Sequence, residues 1–258
     1  MSRHEASDPP YKMETNASSS QLDFRAQLET LFKDTPLPLE HLMCNFGLYM
    51  RSSVLVKILV INDLYERILR VPGVIMEFGT WWGQNLVLFE NLRAIHEPFN
   101  KTRRIVGFDT FAGYSGFSEV DRKGDVIAPG GYAVSQGYQK YLAQLLSIHE
   151  GNNVLGHLRG RHELVVGDVV ETAPDYFSTR PETVVALAYF DMALYEPTKS
   201  ALRAIKPHLV PGSVILLDEF SWADSPGEAV AFKEVFQGVN YSIERSRFTA
   251  ERAIVTMR

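Results

Sequence analysis

The side chains best placed to do chemistry are acids that follow short apolar runs. Glu77 follows Val74-Ile75-Met76, Asp109 closes Arg104-Ile105-Val106-Gly107-Phe108, and Asp168 closes Leu164-Val165-Val166-Gly167. Asp191 ends the apolar run of residues 184–190, and Asp218-Glu219 follows Ser213-Val214-Ile215-Leu216-Leu217. Short apolar runs alternating with amphipathic segments read as a parallel sheet covered by helices on both faces. Ligands of such open sheets bind in the crevice beyond the carboxyl ends of the strands. A single acid at a strand end is more often structural than functional. Acids at five such ends along one sheet edge reverse that expectation.

The first turn narrows the ligand. A dinucleotide site needs Gly-x-Gly-x-x-Gly there, so that a pyrophosphate can approach a helix N-terminus closely. This chain has Glu77-Phe78-Gly79-Thr80-Trp81-Trp82-Gly83, with bulky rings where that fingerprint needs space. Gly79 and Gly83 still permit a sharp bend, so the turn suits a ligand without phosphates. A nucleoside held by carboxylates fits, and S-adenosyl-L-methionine has that form. Its expected surroundings are Glu77, Phe78, Gly79, Thr80, Trp81, Asp109, Thr110, Gly167, Asp168 and Asp191. Asp109 is expected to accept from the ribose hydroxyls and Asp168 to sit near the adenine amino group. Trp81 and Trp82 suit packing of the helix start as well as they suit ligand contact.

The elements that must position these acids follow from the pattern. The 258 residues are 45% hydrophobic and 22% charged, an ordinary globular composition, and the formal net charge of -5 argues against a nucleic-acid partner. Residues 1 to about 20 are polar and read as a mobile tail, and a helical pattern begins at Gln21. Apolar residues recur at helical spacing from Leu39 to Leu69, so several helices precede the first strand. The segment from Gln84 is expected to be a helix with Leu88, Leu92 and Ile95 on one face. Residues 241–245 and 253–257 read as an antiparallel closing pair. The expected fold is α/β: a doubly wound, mostly parallel, Rossmann-like sheet over residues 71–258, with a helical extension over residues 1–70. The lone Cys44 excludes an internal disulfide and reads as a small buried apolar side chain. No apolar run suggests a signal peptide or membrane span, so a cytoplasmic protein without a membrane partner is expected.

Four stretches resemble the macrocin O-methyltransferase family: residues 77–83, Asp109-Thr110-Phe111-Ala112-Gly113, residues 191–198 (Asp191-Met192-Ala193-Leu194-Tyr195-Glu196-Pro197-Thr198), and Pro211 through Phe220. The likeness spans about residues 73–236. It implies a class I, S-adenosylmethionine-dependent enzyme that methylates sugar hydroxyls in natural-product pathways, forms a homo-oligomer and uses Mg2+. Carried over residue by residue, it gives Asp191, Asp218 and Glu219 as the magnesium ligands, with Glu219 in the inner or an outer ligand shell. There are two departures: the family's Asp-Gly-Asp reads Asp191-Met192-Ala193 here, losing the second acid, and its paired aspartates read Asp218-Glu219.

A sugar hydroxyl is a weak nucleophile and must lie in line with the methyl group and lose its proton. Asp191 is the expected catalytic group, taking that proton beside the metal. None of the seven histidines has a spacing that selects it as the base. The acceptor, a small-molecule sugar that is free, nucleotide-linked or already on a natural product, is expected to meet the insert at about residues 112–162. There Tyr114, Phe117, Tyr132, Tyr138 and Tyr141 alternate with glycines in a pattern that suits a lid or a subunit interface. Arg159, Arg161 and His162 read as a solvated basic cluster or as partners for a diphosphate. The rival readings are a catechol-type O-methyltransferase, a binding protein without turnover, and a metal-dependent hydrolase. The last leaves Asp109 and Asp168 without a role.

Overall fold

The computed structural model describes residues 17–124, 127–153, 161–220 and 222–258. The expected tail falls mostly on residues outside that description. Ser18 caps α1 (Ser19–Lys33) and exchanges hydrogen bonds with Gln21, so the helix starts two residues before the expected point. The short α2 (Leu39–Cys44) and α3 (Ser52–Arg67) follow. From β1 (Val74–Phe78) the chain alternates: α4 (Gln84–His96), β2 (Ile105–Asp109), α5 (Tyr138–Asn152), β3 (Glu163–Val166), α6 (Val169–Thr179), β4 (Val185–Phe190), α7 (Tyr195–Ile205), β5 (Leu209–Leu217) and α8 (Gly227–Val235). β6 (Tyr241–Arg245) and β7 (Ala253–Met257) close it.

The strand order is β3-β2-β1-β4-β5-β7-β6, parallel from β1 to β5, with β7 antiparallel to both β5 and β6. The order reverses between β1 and β4, which makes the crevice there a switch point. Side chains alternate between two cores, as the pleat requires. Val74, Met76 and Phe78 face α6, α7 and α8, while Ile75 faces α3, α4 and α5. Phe78 is stacked between Phe108 and Phe190, its ring centroid 4.8 Å from each.

Three expectations are corrected. On α4 Leu86 and Phe89 enter the core and Leu88 and Leu92 pack half-buried against it, as expected of that face, whereas Ile95 is 70% exposed. The same helix carries buried charge: Glu90 accepts from Arg93 Nε and Nη2 and meets His162 Nε2 at 2.6 Å, so the inward face is partly polar and apolar spacing alone does not mark it. Cys44 is exposed, because α1, α2 and the 3-10 turn that follows bury none of their side chains. His162 belongs to no diphosphate site. It sits at the amino-terminal edge of the sheet, where its Nδ1 accepts from the backbone N–H of Ile105, on the opposite side from the acids. Arg161 is exposed, and Arg159 lies outside the described residues.

The Glu90 cluster gives a testable pH dependence. Burial alone would raise its carboxyl, but hydrogen bonds from His162, Arg93 and Asn153 hold it at about 2, below the ordinary 4.5. A depressed folded-state value stabilises the fold fully above 4.5, and that contribution is lost as pH falls toward about 2. Thermal melting across that range is expected to show an acid loss that is shallower in Glu90→Gln. Identical pH slopes would refute the assignment.

Candidate active site

Strand register brings most of the expected acids together. Phe78 pairs with Phe108 on one side and Phe190 on the other, Phe190 with Leu217, and Asp109 with Val166. The next residues of these strands therefore emerge along one edge, around a pocket of about 290 Å³. Gly79, Trp81, Asp109, Thr110, Gly167, Asp168, Asp191, Asp218 and Glu219 line it. Glu77, Phe78 and Thr80 do not, and all three are buried. Phe78 is a core ring, and Glu77 Oε1 accepts from Asn85 at 2.6 Å while burial pushes its carboxyl well above the usual range. These three hold the turn from behind.

Gly79 is a glycine of necessity. Its φ is +92°, and a Cβ there would stand 2.1 Å from the Asp191 carbonyl oxygen. The turn thus packs directly on the residue after β4. Asp109 ties the two neighbouring turns, with Oδ2 accepting from Trp81 N–H at 2.7 Å and Oδ1 from Phe111 N–H at 2.6 Å. Burial raises its carboxyl despite those bonds. Asp168 caps α6 by accepting from Val170 N–H at 2.9 Å. The tryptophans divide their roles: Trp81 lines the pocket and meets Tyr132 edge to face, while Trp82 packs against Tyr138, whose hydroxyl donates to the Trp82 carbonyl.

The insert forms the outer wall. Tyr114 N–H donates to the Gly131 carbonyl and Gly130 N–H to the Tyr114 carbonyl, which sets Tyr114, Ser115 and Tyr132 against the pocket. Asp121 anchors the same insert by accepting from Tyr195 N–H at the start of α7. The described part of the insert also contributes α5, whose Leu142 packs beneath Gly83 and buttresses the first turn.

The expected magnesium ligands do not assemble. Asp218 accepts from Arg252 Nε and Nη2 and from the Tyr189 hydroxyl, the last at 2.7 Å. Glu219 Oε2 accepts from Ser225 at 2.7 Å, and Lys57 Nζ stands 3.5 Å from Asp191 Oδ2. Among the described residues no group of three or more His, Cys, Asp or Glu side chains is arranged to hold a metal ion. Two of the three carboxylates that the resemblance gives as ligands, Asp191 and Asp218, face resident cations, and the third, Glu219, accepts from a serine hydroxyl, so this donor set does not fit the ion.

Two residues matter here that sequence reasoning missed. Lys57 lines the pocket from α3, one turn before the buried Val60 and Ile61 on the same helix face. A lysine in line with a buried stripe was the available signal. Glu228 of α8 is fully buried and accepts from Met192, Ala193 and Glu219 N–H groups at 3.0, 3.2 and 3.2 Å. It staples the loops after β4 and β5, and Ala193, at the position of the family's second acid, is held with φ +60°. Nothing in the helical pattern of residues 227–236 marks Glu228.

A model of the methyltransferase domain matches residues 76–220. The chain belongs to that family. The crystal structure of CalS11, a calicheamicin methyltransferase, is 39% identical, covers 97% of this chain and 99% of its own, and superposes with a TM-score of 0.87. The apo structure of CalS11, described as a TDP-rhamnose 3'-O-methyltransferase of calicheamicin biosynthesis, is 37% identical over 94% of this chain and 96% of its own, with a TM-score of 0.81. A tetracenomycin rhamnosyl 4'-O-methyltransferase from Streptomyces olivaceus is 26% identical over 162 residues, which is 58% of this chain. That match spans about half the relative's length, 54%. The O-methyltransferase NovP, at 19% identity, 78% of this chain, 79% of its own and a TM-score of 0.61, shares the fold. The class I fold and the O-methyltransferase assignment drawn from the motifs both hold. No helix among the described residues is long and apolar enough to cross a membrane.

Proposed function

We propose that this methyltransferase transfers the methyl group of S-adenosylmethionine to a hydroxyl of a deoxysugar in antibiotic biosynthesis, the sugar being nucleotide-linked or carried by the natural product. The observation that carries the reading is the row of acids Asp109, Asp168, Asp191 and Asp218 lining one pocket at the switch point, in a chain 39% identical to a calicheamicin methyltransferase over nearly its whole length. Adenosine lies against Asp109 and Asp168. The sulfonium points toward Asp191, and the sugar enters between Tyr114, Tyr132, Leu194 and Pro197.

The acceptor oxygen attacks the methyl carbon in line, and the carbon–sulfur bond breaks with its electron pair going to sulfur. S-adenosylhomocysteine leaves with a neutral thioether sulfur, and Asp191 takes the hydroxyl proton. Holding oxygen and methyl in line supplies much of the rate. Incubation with S-adenosylmethionine and TDP-rhamnose, read by mass spectrometry, tests the reading. A methylated nucleotide sugar supports it, whereas methylation of a catechol but of no sugar overturns it.

We also infer self-association through the helical extension of residues 17–70. Phe24, Leu31, Leu39, Met43, Phe46 and Leu48 are all at least half exposed, an apolar display unusual for a soluble monomer. Sedimentation is expected to give a dimer or larger, and Phe24→Asp with Met43→Asp is expected to shift it toward monomer. A monomeric wild type refutes this.

A further inference from the structure

The active-site acids are balanced by two cations whose positions differ. Arg252, just before β7, grips Asp218 through two nitrogens and lines no part of the pocket. Lys57 lines the pocket, and 27% of its side chain remains accessible. Its one hydrogen bond among the described residues is the 3.5 Å contact to Asp191. An ammonium has three N–H donors, so two are left for a ligand. Position 57 also lies outside residues 76–220, the part matched by the methyltransferase domain. This contribution therefore comes from the helical extension.

We propose that Lys57 is the resident cation of the acceptor site, its ammonium anchored by Asp191 and donating to the hydroxyl oxygens of the bound sugar. It performs the positioning that the motif resemblance assigns to a magnesium ion. A compact ammonium suits two neighbouring sugar oxygens because its donors rotate freely about one point charge. A divalent ion entering the same space would meet a like charge beside Asp191 and would find Asp218 already held by Arg252. The acceptor contact rests on the sugar-methylation reading, whereas the cation assignment stands without it.

The test uses the full chain, stripped with a chelator and loaded with S-adenosylhomocysteine, as wild type, Lys57→Met and Lys57→Arg. TDP-rhamnose is titrated calorimetrically into each, and MgCl2 is titrated separately. Wild type is expected to bind the sugar nucleotide without added metal. Lys57→Met is expected to bind it about tenfold or more weaker, as for loss of a charged hydrogen bond, with Lys57→Arg recovering part of the loss. Unchanged S-adenosylhomocysteine affinity shows that each variant is folded. Equal sugar affinity in Lys57→Met, or wild-type affinity that appears only with MgCl2, overturns the proposal. If TDP-rhamnose binds to no form under either condition, the sugar reading fails and the MgCl2 titration decides the cation assignment alone. Saturable uptake by wild type overturns it, whereas uptake by Lys57→Met alone, or by neither protein, upholds it.

Discussion

Asp191→Asn is expected to lower kcat by about two to four orders of magnitude, the usual contribution of a positioned general base. The substitution preserves shape and leaves an amide oxygen that can still accept from Lys57 Nζ, so the site keeps its form while losing its proton acceptor. S-adenosylhomocysteine affinity is expected to change little, because in the proposed site the adenosine end rests at β2 and β3. The variant therefore separates chemistry from binding, and kinetics with the sugar acceptor beside calorimetry with the product reads both. The pH profile sharpens the test. Burial, followed by the Asp218 charge, raises the Asp191 carboxyl above its ordinary 3.8, against the opposing pull of Lys57. A base works ionised, so kcat/KM is expected to fall as pH drops through a value above that of an ordinary aspartate, and this acid limb is expected to vanish in Asp191→Asn. Wild-type turnover in the variant removes Asp191 from the mechanism.

The sheet was legible in the sequence because buried parallel strands are written as continuous apolar runs, each closed here by an acid. Register then converts that regularity into a site: pairing of Phe78, Phe108, Phe190 and Leu217 across the sheet puts Asp109, Asp191 and Asp218 at one edge. Contacts between elements far apart in the chain were not legible. Lys57 and Asp191 are 134 positions apart, and Arg252 and Asp218 are 34 apart. No periodicity encodes which acid a distant cation will meet, so two of the three carboxylates that resemble a metal site in sequence meet side-chain cations in the fold. That Glu77 and Phe78 do not line the pocket was hidden for a related reason. They belong to the strand's last buried positions, and pocket-lining residues begin only where the backbone turns at Gly79. The inward face of α4 was legible only in part: Leu88 and Leu92 do reach the core, but Glu90 and Arg93 are buried beside them and neutralise each other. Buried charge of that kind breaks the rule that apolar spacing marks the core.

Asp109→Ala is expected to weaken S-adenosylhomocysteine binding by about a hundredfold or more, since each hydrogen bond to a charged group is worth about 1.5–3 kcal/mol and a ribose offers two hydroxyls. The loss has a second source. The Asp109 oxygens also hold the N–H groups of Trp81 and Phe111, and without them the turns after β1 and β2 lose their common anchor. Asp109→Asn separates these contributions. Its amide keeps one acceptor for a backbone N–H but presents a donor toward the other group, so its affinity is expected to fall between those of wild type and Asp109→Ala. Calorimetry on the three proteins, each shown to be folded by thermal melting, makes the comparison. Wild-type affinity in Asp109→Ala means that the ribose does not rest on β2. The donor then runs the other way along the strand edge, with the sulfonium near Asp168, which would put Asp191 out of reach of the transferred methyl. The orientation of the donor and the role of Asp191 as base therefore stand or fall together.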